Sequence, residues 1–535
     1  MAFTAGVLAS HDVTISNTGS FTLTATKTAG TETGTSTAFT VYPTCGTVVD
    51  ASYAAASATS TQVTVYWSSA NAVLILRESG GSVTGTPVGG QTYSVGGPNI
   101  GTSTVVYSGS VAEGSFLDTG QTAGRTTTDR YKVYVKGAGC YSPGLQVDAS
   151  VPSGTAWSHA RSDGPLLKPG IAGGGALYIG GNGSKITSLS TTAGTQSWDP
   201  VASSGAIQSW LTWVPLSSGG TAVIGGDQGG KVYSVNSATG AKFWTEYTTG
   251  EPVIQAGVAV QLRAYSTQDL QPGYTGDIIF AASMNGATTN KIYAIKASDG
   301  GLAWSFNGTI ATGNSVSDIT GMPYVDYARN RIYVTSKDAS GRSLWVINSL
   351  TGSSVACNGT DCTLGSLATS PTLSYDGNTL YIGDTAGRLH AINAGALTLK
   401  WTLDLGAGAN IKTSGFVWED YTTAGRLYFT TADGNVRCVK DNGQGLVEAC
   451  PGWTVTNVPG AATPLLLDKL FVGSSDGTVR QINPTDGTED KRFPAAGSLD
   501  GTSLGAISSE TGNEIFVGTN GGKIFKINLT SGALP

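Results

Sequence analysis

The sequence predicts an all-β protein in which β-sandwich segments precede an eight-bladed β-propeller. Gly is abundant, with 76 of 535 residues, and Asp, Glu, Lys and Arg together make up only 12%. Gly, Ser and Thr favour turns, caps or strands over helix interiors, so helix is nearly excluded as the main element. A strand–turn–strand pattern also recurs eight times between residues 155 and 535, at spacings of 43 to 56 residues. A repeat of this length built from short strands is typical of a propeller with one four-stranded sheet per repeat.

The composition also excludes several classes of function. An apolar content of 39% combined with low charge argues against disorder. The net charge of −6 leaves no basic field for binding nucleic acid or anionic lipid. No apolar run approaches the ~18 residues of a membrane span, so no membrane insertion is expected.

Residues 1–43 are predicted to form part of a β-sandwich. Phe21, Leu23 and Ala25 alternate with threonines, as in a half-buried strand. The strand-like runs are Val7–Ile15, Ser20–Thr26 and Thr37–Val41. The runs from Gly19 to Thr26 and from Phe39 to Val41 resemble the second half of a bacterial immunoglobulin-like domain. A complete sandwich needs about 80–100 residues. Either an upstream segment of the chain or a strand of a partner is therefore expected to cover the apolar face of Val13, Ile15, Phe21 and Leu23.

Residues 44–150 are predicted to form a second sandwich. Its strands are Gln62–Trp67, Ala72–Arg77, Val105–Tyr107, Ser115–Leu117 and Tyr131–Val135. Trp67, the run from Phe116 to Gly120 and the last of these strands resemble a fibronectin type III domain, although Gln121 replaces the family's usual Leu. The resemblance implies a spacer without chemistry of its own.

Residues 151–535 carry the repeat. In each copy a strand is followed by a Gly turn, a second strand and a turn of the Thr-Gly or Asp-Gly type. The copies cover 184–198, 229–244, 290–304, 341–355, 387–401, 434–450, 477–493 and 521–535. The strands that precede them are centred on Tyr178, Val223, Ile279, Ile332, Leu380, Leu427, Leu470 and Ile515.

These copies, and the run from Phe471 to Gly477 in particular, resemble the blades of a pyrroloquinoline-quinone (PQQ)-type propeller. Four recurring residues, Trp198, Trp244, Trp304 and Trp401, are expected to pack between neighbouring blades. The last copy lacks an outermost strand. Gly154–Ser158 is similar to Gly301–Ser305 in sequence, so we expect it to pair with the last blade and close the ring.

Six cysteines indicate three disulfides. Cys357–Cys362 and Cys438–Cys450 each span a turn, and Cys45–Cys140 would link the edges of the second sandwich. Disulfides imply an oxidising compartment, here secretion or the cell surface. The alternative is three pairs of buried free thiols. The first residues lack the basic and apolar segments of a secretory signal, which leaves an added Met, processing, or export together with a partner as explanations.

No catalytic constellation emerges from the sequence. Quinoprotein dehydrogenases share this type of propeller, and the resemblance implies a quinone held between a Trp and a disulfide of adjacent cysteines, beside Ca²⁺. This chain has no adjacent cysteines, so neither a cofactor nor a metal is expected. The Asp-Gly pairs lack the further oxygen ligands of a calcium loop and are interpreted as turns. His11, His159 and His390 lie far apart, and none accompanies a nucleophile motif.

Three functions follow from this pattern. The first is a non-enzymatic surface protein, an adhesin or scaffold, whose sandwich stalk presents a propeller that binds protein or glycan. The second is a subunit of a pilus-like filament in which a partner strand completes residues 1–43. The third, a quinoprotein dehydrogenase, is disfavoured by the missing cysteine pair.

Overall fold

The structure is a computed structural model of the chain. It describes residues 15, 17, 19–26, 33–41, 47–51, 53–58, 63–69, 71–109, 113–119, 129–149, 156–162, 164–166, 170–251, 256–265, 274, 276–285, 290–308, 315–338, 341–367, 369–406, 408–411, 418–420, 425–443, 447–453, 456–495 and 497–529. Within these ranges the elements are strands, apart from one 3-10 turn at Arg263–Tyr265. The prediction of an all-β protein is confirmed.

The chain forms two compact units. The first contains Met1–Ala54, Val65–Phe116 and Thr128–Asp148, and the second contains Ala55–Thr64, Leu117–Thr127 and Ala149–Pro535. The predicted division into 1–43, 44–150 and 151–535 stays a prediction.

The N-terminal strands are divided among several sheets. They are β1 (Gly19–Phe21), β2 (Thr24–Thr26), β3 (Thr33–Thr35), β4 (Phe39–Val41), β5 (Tyr53–Ala58), β6 (Val63–Ser68), β7 (Val73–Ser79), β8 (Thr104–Gly109), β9 (Glu113–Asp118), β10 (Asp129–Val135) and β11 (Leu145–Ala149). Strand β1 pairs with β4, β2 pairs with β3, and a four-stranded sheet has the order β11-β10-β7-β8.

The single strand predicted over Ser20–Thr26 is divided into β1 and β2. Phe21 pairs with Phe39 whereas Thr24 pairs with Thr35, so one extra residue lies between the two pairings on the second strand. A bulge of this kind interrupts the ladder and bends the hairpin. Strand β3 was not predicted, and most of the predicted strand Val7–Ile15 lies outside the described residues.

Aromatic side chains form part of the core of the first unit. The ring of Trp67 lies 4.9 Å from that of Tyr107, which lies 5.6 Å from the ring of Phe116. Trp67 is buried, as its predicted role as a core residue requires.

The second unit contains eight successive antiparallel sheets, numbered here 1 to 8. After β12 (Trp157–Arg161), sheet 1 has β13 (Ile171–Gly173), β14 (Ala176–Ile179), β15 (Lys185–Ser190) and β16 (Gln196–Ala202). Sheet 2 has β17 (Thr212–Pro215), β18 (Thr221–Gly226), β19 (Lys231–Asn236) and β20 (Tyr247–Thr248). Sheet 3 has β21 (Ala259–Gln261), β22 (Ile278–Ala282), β23 (Ile292–Lys296) and β24 (Leu302–Phe306). Sheet 4 has β25 (Tyr324–Asp326), β26 (Arg331–Thr335) and β27 (Leu344–Asn348).

The later sheets repeat this order. Sheet 5 has β28 (Thr372–Leu373), β29 (Thr379–Gly383), β30 (Arg388–Asn393) and β31 (Leu399–Asp404). Sheet 6 has β32 (Trp418–Asp420), β33 (Arg426–Thr430), β34 (Asn435–Asp441), β35 (Val447–Ala449) and β36 (Thr456–Asn457). Sheet 7 has β37 (Leu465–Leu466), β38 (Leu470–Gly473), β39 (Val479–Ile482) and β40 (Glu489–Phe493), and sheet 8 has β41 (Leu504–Ser508), β42 (Glu514–Thr519) and β43 (Lys523–Asn528).

The second strand of each sheet is buried on both faces. Strand β22, with the sequence Ile-Ile-Phe-Ala-Ala, is buried at every residue, and so is β14. A strand covered on both sides needs a continuous apolar run rather than an alternating one. This explains why each repeat opens with an uninterrupted apolar strand, as predicted around Tyr178 and Ile279.

Strand β12 supplies the strand that sheet 8 lacks. Trp157 pairs with Lys526 and Ala160 pairs with Lys523, so β12 lies beside β43. The predicted pairing of this segment with the last repeat is confirmed. Residues 55–58 of β5 pair with β12 on its other side.

A buried apolar cluster joins each sheet to its neighbour. The cluster between sheets 3 and 4 contains Phe280, Trp304 and Trp345. The cluster containing Trp157, Leu177 and Phe516 joins sheet 8 to sheet 1 in the same way. Sheets 1 and 8 therefore pack together although they lie at opposite ends of the repeat region.

In the part of the chain that the structure describes, no helix has the length and apolar character needed to cross a membrane.

Candidate functional site: an apolar pocket between first strands

First strands of neighbouring sheets lie side by side, since β13 contacts β17, β17 contacts β21 and β37 contacts β41. A cavity of about 330 Å³ opens where several of these strands approach one another. Its apolar wall, here named the first-strand pocket, consists of Ile171, Trp210, Trp213, Met322, Leu465 and Ile507. The volume lies at the lower end of the range for ligand pockets.

Two glycines, which have no Cβ atom, allow the Trp side chains to pack closely against the backbone. A Cβ atom at Gly173 would lie 2.5 Å from the ring of Trp213, so only Gly lets this ring rest on β13. A Cβ atom at Gly257 would lie 2.8 Å from Cβ of Trp210 and 2.8 Å from the sulfur of Met322. Close approach to backbone is a common role of strand glycine. The walls of the pocket are thus fixed by packing.

The chemistry of the pocket is almost wholly apolar. None of its described lining residues carries a charge; Thr212, Thr463, Ser508 and Ser509 supply its hydroxyl groups. Thr212 already donates to the carbonyl of Val258 at 2.5 Å. The Oγ atom of Ser508 is buried and has no hydrogen-bond partner. The pocket therefore suits an uncharged, mainly apolar group.

The repeat pattern of the sequence does not predict this pocket. Trp210 and Trp213 form a Trp-x-x-Trp pattern just before and within a first strand, where no other repeat carries two Trp residues. This Trp-x-x-Trp pattern is the one feature of the sequence that could have indicated the pocket. Met322 and Ile507 could not have been grouped with the two Trp residues, because they come from sheets 4 and 8.

The predicted disulfides are present where the structure describes both cysteines. Cys357 and Cys362 are bonded with their Cα atoms 6.0 Å apart, and Cys438 and Cys450 with theirs 5.5 Å apart. Cys438 lies in β34 and Cys450 directly follows β35, so this bond links the two outer strands as predicted. Cys140 is disulfide-bonded and buried, while its predicted partner Cys45 lies outside the described residues.

The residues of the predicted partner-strand face are only partly covered. Ile15 and Phe21 are half-buried, and Leu23 is 43% exposed. Val13 lies outside the described residues.

The recurring Trp residues pack between sheets, as predicted. Trp244 and Trp304 are buried, and their Nε1 atoms donate to the carbonyls of Ala297 at 3.0 Å and Ser349 at 3.1 Å. Both acceptors belong to the turn after the third strand of the next sheet. We call this arrangement the Trp–turn contact. It serves packing, so these Trp residues are not free to bind a ligand.

The polar groups of the repeat have structural partners. Nε2 of His390 lies 3.3 Å from the Asp384 carboxylate, which also accepts a bond from Arg388 Nε at 2.6 Å. Burial alone would raise the pKa of Asp384, but the hydrogen bonds from His390 and Arg388 outweigh burial and lower it. The Gly residues of the Asp-Gly pairs have positive φ, for example 73° at Gly300 and 79° at Gly477, so these pairs are turns. No group of three or more metal-ligating side chains occurs among the residues described.

The repeated sheets define a β-propeller repeat protein, and comparison identifies its family. The family described as outer membrane protein assembly factor BamB matches residues 118–337 and 260–415. Because these matches span more than half of the chain, the protein belongs to that family.

Solved structures are similar to this chain at low sequence identity. Saccharomyces cerevisiae Sqt1 has 13% identity and a TM-score of 0.52, covering 68% of this chain and 96% of its own. BamB from Moraxella catarrhalis has 15% identity and a TM-score of 0.48, covering 68% and 94%. The computationally designed Ika8 protein has 13% identity and a TM-score of 0.49, covering 68% and 96%. No curated protein sequence matches the chain.

Proposed function

We propose that this protein is a non-enzymatic binding scaffold whose propeller holds an apolar segment of a partner protein in the first-strand pocket. The observation that carries this proposal is the uncharged wall formed by Trp210, Trp213 and Met322. Trp is enriched among residues that dominate binding energy, and Met adapts to varied apolar surfaces. A glycan would need several polar side chains for its hydroxyl groups, and two of the four hydroxyls in the lining, those of Thr212 and Ser509, already donate to backbone carbonyls.

The propeller is proposed to have eight blades in a closed ring. The support is that Trp157 of β12 repeats the Trp–turn contact at the junction of sheets 8 and 1. Its Nε1 donates to the carbonyl of Thr191 at 3.0 Å, and its ring lies 5.7 Å from that of Phe516. A closed ring removes exposed sheet edges and holds the first-strand pocket rigid.

The protein is proposed to work in an oxidising compartment, at the cell envelope or outside the cell. The support is the disulfide bonding of Cys140, Cys357–Cys362 and Cys438–Cys450. The family description, outer membrane protein assembly factor, agrees with an envelope location and with service to a larger protein assembly.

The N-terminal segments are proposed to attach this propeller to its assembly. A fibronectin-like spacer is supported by the sheet order β11-β10-β7-β8 and by the aromatic core around Trp67. An immunoglobulin-like segment completed by a partner strand, as in a filament subunit, is supported by the exposed Leu23 and by the two-stranded pairs β1–β4 and β2–β3. Two strands alone are marginally stable. Deleting residues 1–43 should leave the propeller folded and abolish attachment; normal attachment of the shortened protein would contradict the role.

The pocket is tested by selecting displayed peptides on the full-length protein. Peptides with an aromatic or aliphatic anchor should be enriched, and Trp213→Ala should weaken their binding at least tenfold, since one buried anchor contributes 2 kcal/mol or more. The matched control is Phe243→Ala, an exposed aromatic on sheet 2 outside the pocket. Peptides that bind wild type and Trp213→Ala equally would overturn the proposal. Selective capture of glycans, or dye reduction after addition of PQQ and Ca²⁺, would replace it with the alternative functions.

A further inference from the structure

Seven of the eight junctions between sheets are filled by a Trp or a disulfide. Trp–turn contacts, or a Trp at the same position, occur at five junctions, through Trp157, Trp198, Trp244, Trp304 and Trp401. Cys362 and Leu397 fill the junction of sheets 4 and 5. Cys450 and Trp453 fill the junction of sheets 6 and 7. Among the described residues, the apolar cluster at the junction of sheets 7 and 8 contains neither a Trp nor a disulfide.

Strand pairing shows that Lys491 occupies the Trp position of sheet 7. Trp304 pairs with Ala294 and Trp401 pairs with Ala391, each just before an irregularity in the ladder. Lys491 pairs with Gln481 at the same place in sheet 7. Lys491 is exposed, whereas Trp304 and Trp401 are buried. The Trp ring that occupies this position at five other junctions is therefore absent from the junction of sheets 7 and 8.

A cavity lies at the position of the missing ring. Its volume is about 400 Å³, and its lining includes Leu467, Phe471, Gln481, Lys491, Asn513 and Leu529. We name it the sheet 7–8 socket. It shares no lining residue with the first-strand pocket.

The floor of the socket contains the same two groups that contact Trp at other junctions, an aromatic ring on the second strand of one sheet and a carbonyl after the third strand of the next. Phe471 is buried in β38, at the position of Phe280 in β22 and Tyr381 in β29. Those two rings lie 5.7 Å from Trp304 and 6.1 Å from Trp401. Leu529 directly follows β43, as Ala297 follows β23, so its carbonyl stands where a Trp Nε1 would donate.

We propose that the sheet 7–8 socket binds the Trp side chain of a partner protein. The indole would stack on Phe471 and donate its N–H to the carbonyl of Leu529, as the chain's own Trp residues do at other junctions. The ammonium group of Lys491 at the rim would face the ring, an arrangement that attracts cations to Trp. This site adds a second anchor and does not depend on the function proposed for the first-strand pocket.

The test is titration of the full-length protein with N-acetyl-L-tryptophanamide. Wild type should bind one equivalent saturably, with a dissociation constant on the order of 1 mM, and N-acetyl-L-leucinamide should bind at least tenfold more weakly. Lys491→Trp should fill the socket from within, abolish this binding and raise the melting temperature. Lys491→Ala is the matched control and should bind within about threefold of wild type, because the floor stays intact.

A second variant allows the proposal to be tested even if Lys491→Trp fails to fold. Gln481 pairs with Lys491 on the neighbouring strand of sheet 7. Gln481→Arg places a longer side chain there and should also block the site. Saturable binding that survives both Lys491→Trp and Gln481→Arg would overturn the proposal. So would binding lost only in Trp213→Ala, since the probe would then occupy the first-strand pocket, or no saturable binding by wild type at millimolar concentrations.

Discussion

At the residue scale, glycine in the repeat turns makes room for a ring of the neighbouring sheet. Gly300 has a φ of 73°, and a Cβ atom there would lie 2.5 Å from the ring of Trp244. The sequence pattern indicated a turn that needs positive φ. It did not indicate the second constraint, which is contact with a Trp from the preceding repeat.

Gly300→Ala should therefore destabilise the protein more than a turn glycine alone would explain. The matched control is Gly250→Ala, since Gly250 also has a φ of 73° but no atom within 4 Å of its added Cβ. We expect about 1–2 kcal/mol for the control from backbone strain. Gly300→Ala should cost about 1–3 kcal/mol more, because the added methyl overpacks the junction. Urea unfolding of both variants measures the difference, and equal losses would show that the ring contact is unimportant.

His159 makes the stability depend on pH. It lies fully buried in β12, where burial and then the Arg161 charge lower its pKa to about 3. The unfolded chain binds a proton below its ordinary pKa of about 6.5, whereas the folded protein stays neutral there. The free energy of unfolding should fall as pH decreases from about 6.5 towards 3, by up to about 1.4 kcal/mol per unit.

His159→Asn should flatten this dependence between about pH 6.5 and 5.5. Asp384 and Glu246, whose pKa values are lowered in the folded protein, reduce the free energy of unfolding only below about pH 5, where the unfolded chain begins to protonate them. Chemical unfolding at a series of pH values gives the comparison. An equally steep loss in the variant would assign the effect to other groups.

At the scale of elements, a disulfide loop takes the place of a fourth strand in sheet 4. Ala356 stands where the other repeats carry Trp, four residues after the turn glycine. The loop instead presents the carbonyl of Cys362, which accepts from the backbone N–H groups of Ser343 and Leu344 at 3.1 Å. Leu397, with a φ of 55°, replaces the turn glycine of sheet 5 and packs beside Cys362. Exchanging a Trp and a Gly for a disulfide loop and a Leu keeps the junction filled.

Removing this disulfide by Cys357→Ala with Cys362→Ala should cost roughly 2 kcal/mol, the entropy of a short closed loop. Hydrogen exchange should speed up at the amide of Leu344, which loses a fixed acceptor. The matched variant is Cys438→Ala with Cys450→Ala, which should loosen β34 and leave Leu344 protected. Unchanged exchange at Leu344 in the first variant would show that the loop holds its place without the bond.

At the scale of the whole propeller unit, the proposed closure of the ring depends on a strand far from the last repeat in sequence. Strand β12 pairs with β43 and seats Trp157 at sheet 1, where a Cβ atom on Gly194 would lie 2.5 Å from its ring. Stability should therefore be a property of the ring rather than a sum over its repeats, in contrast to open repeat arrays.

A protein consisting of residues 150–535 exposes the edge of β12 that pairs with β5, but it keeps β12 beside β43 and Trp157 at sheet 1, so it should melt in one cooperative transition. A protein of residues 163–535 lacks β12 and Trp157, loses the junction between sheets 8 and 1, and should melt at a markedly lower temperature. Calorimetry and size-exclusion chromatography distinguish the two. Identical behaviour would show that β12 does not close the ring.

The amino-acid sequence by itself determined the local features of this protein. Turn glycines, apolar second strands and cysteines across a turn act over a few residues, so the eight repeats and the disulfides Cys357–Cys362 and Cys438–Cys450 could be predicted. The pairing of β12 with β43 was also predictable, because Gly154–Ser158 copies a fourth-strand sequence. The tertiary structure alone decided the first-strand pocket and the sheet 7–8 socket. Trp213 and Met322 line one pocket only because sheets that are distant in sequence pack together. Phe471, unlike the matching residues Phe280 and Tyr381, has no Trp ring beside it among the described residues for the same reason. Such packing depends on how strands meet in space, which a local sequence pattern does not encode.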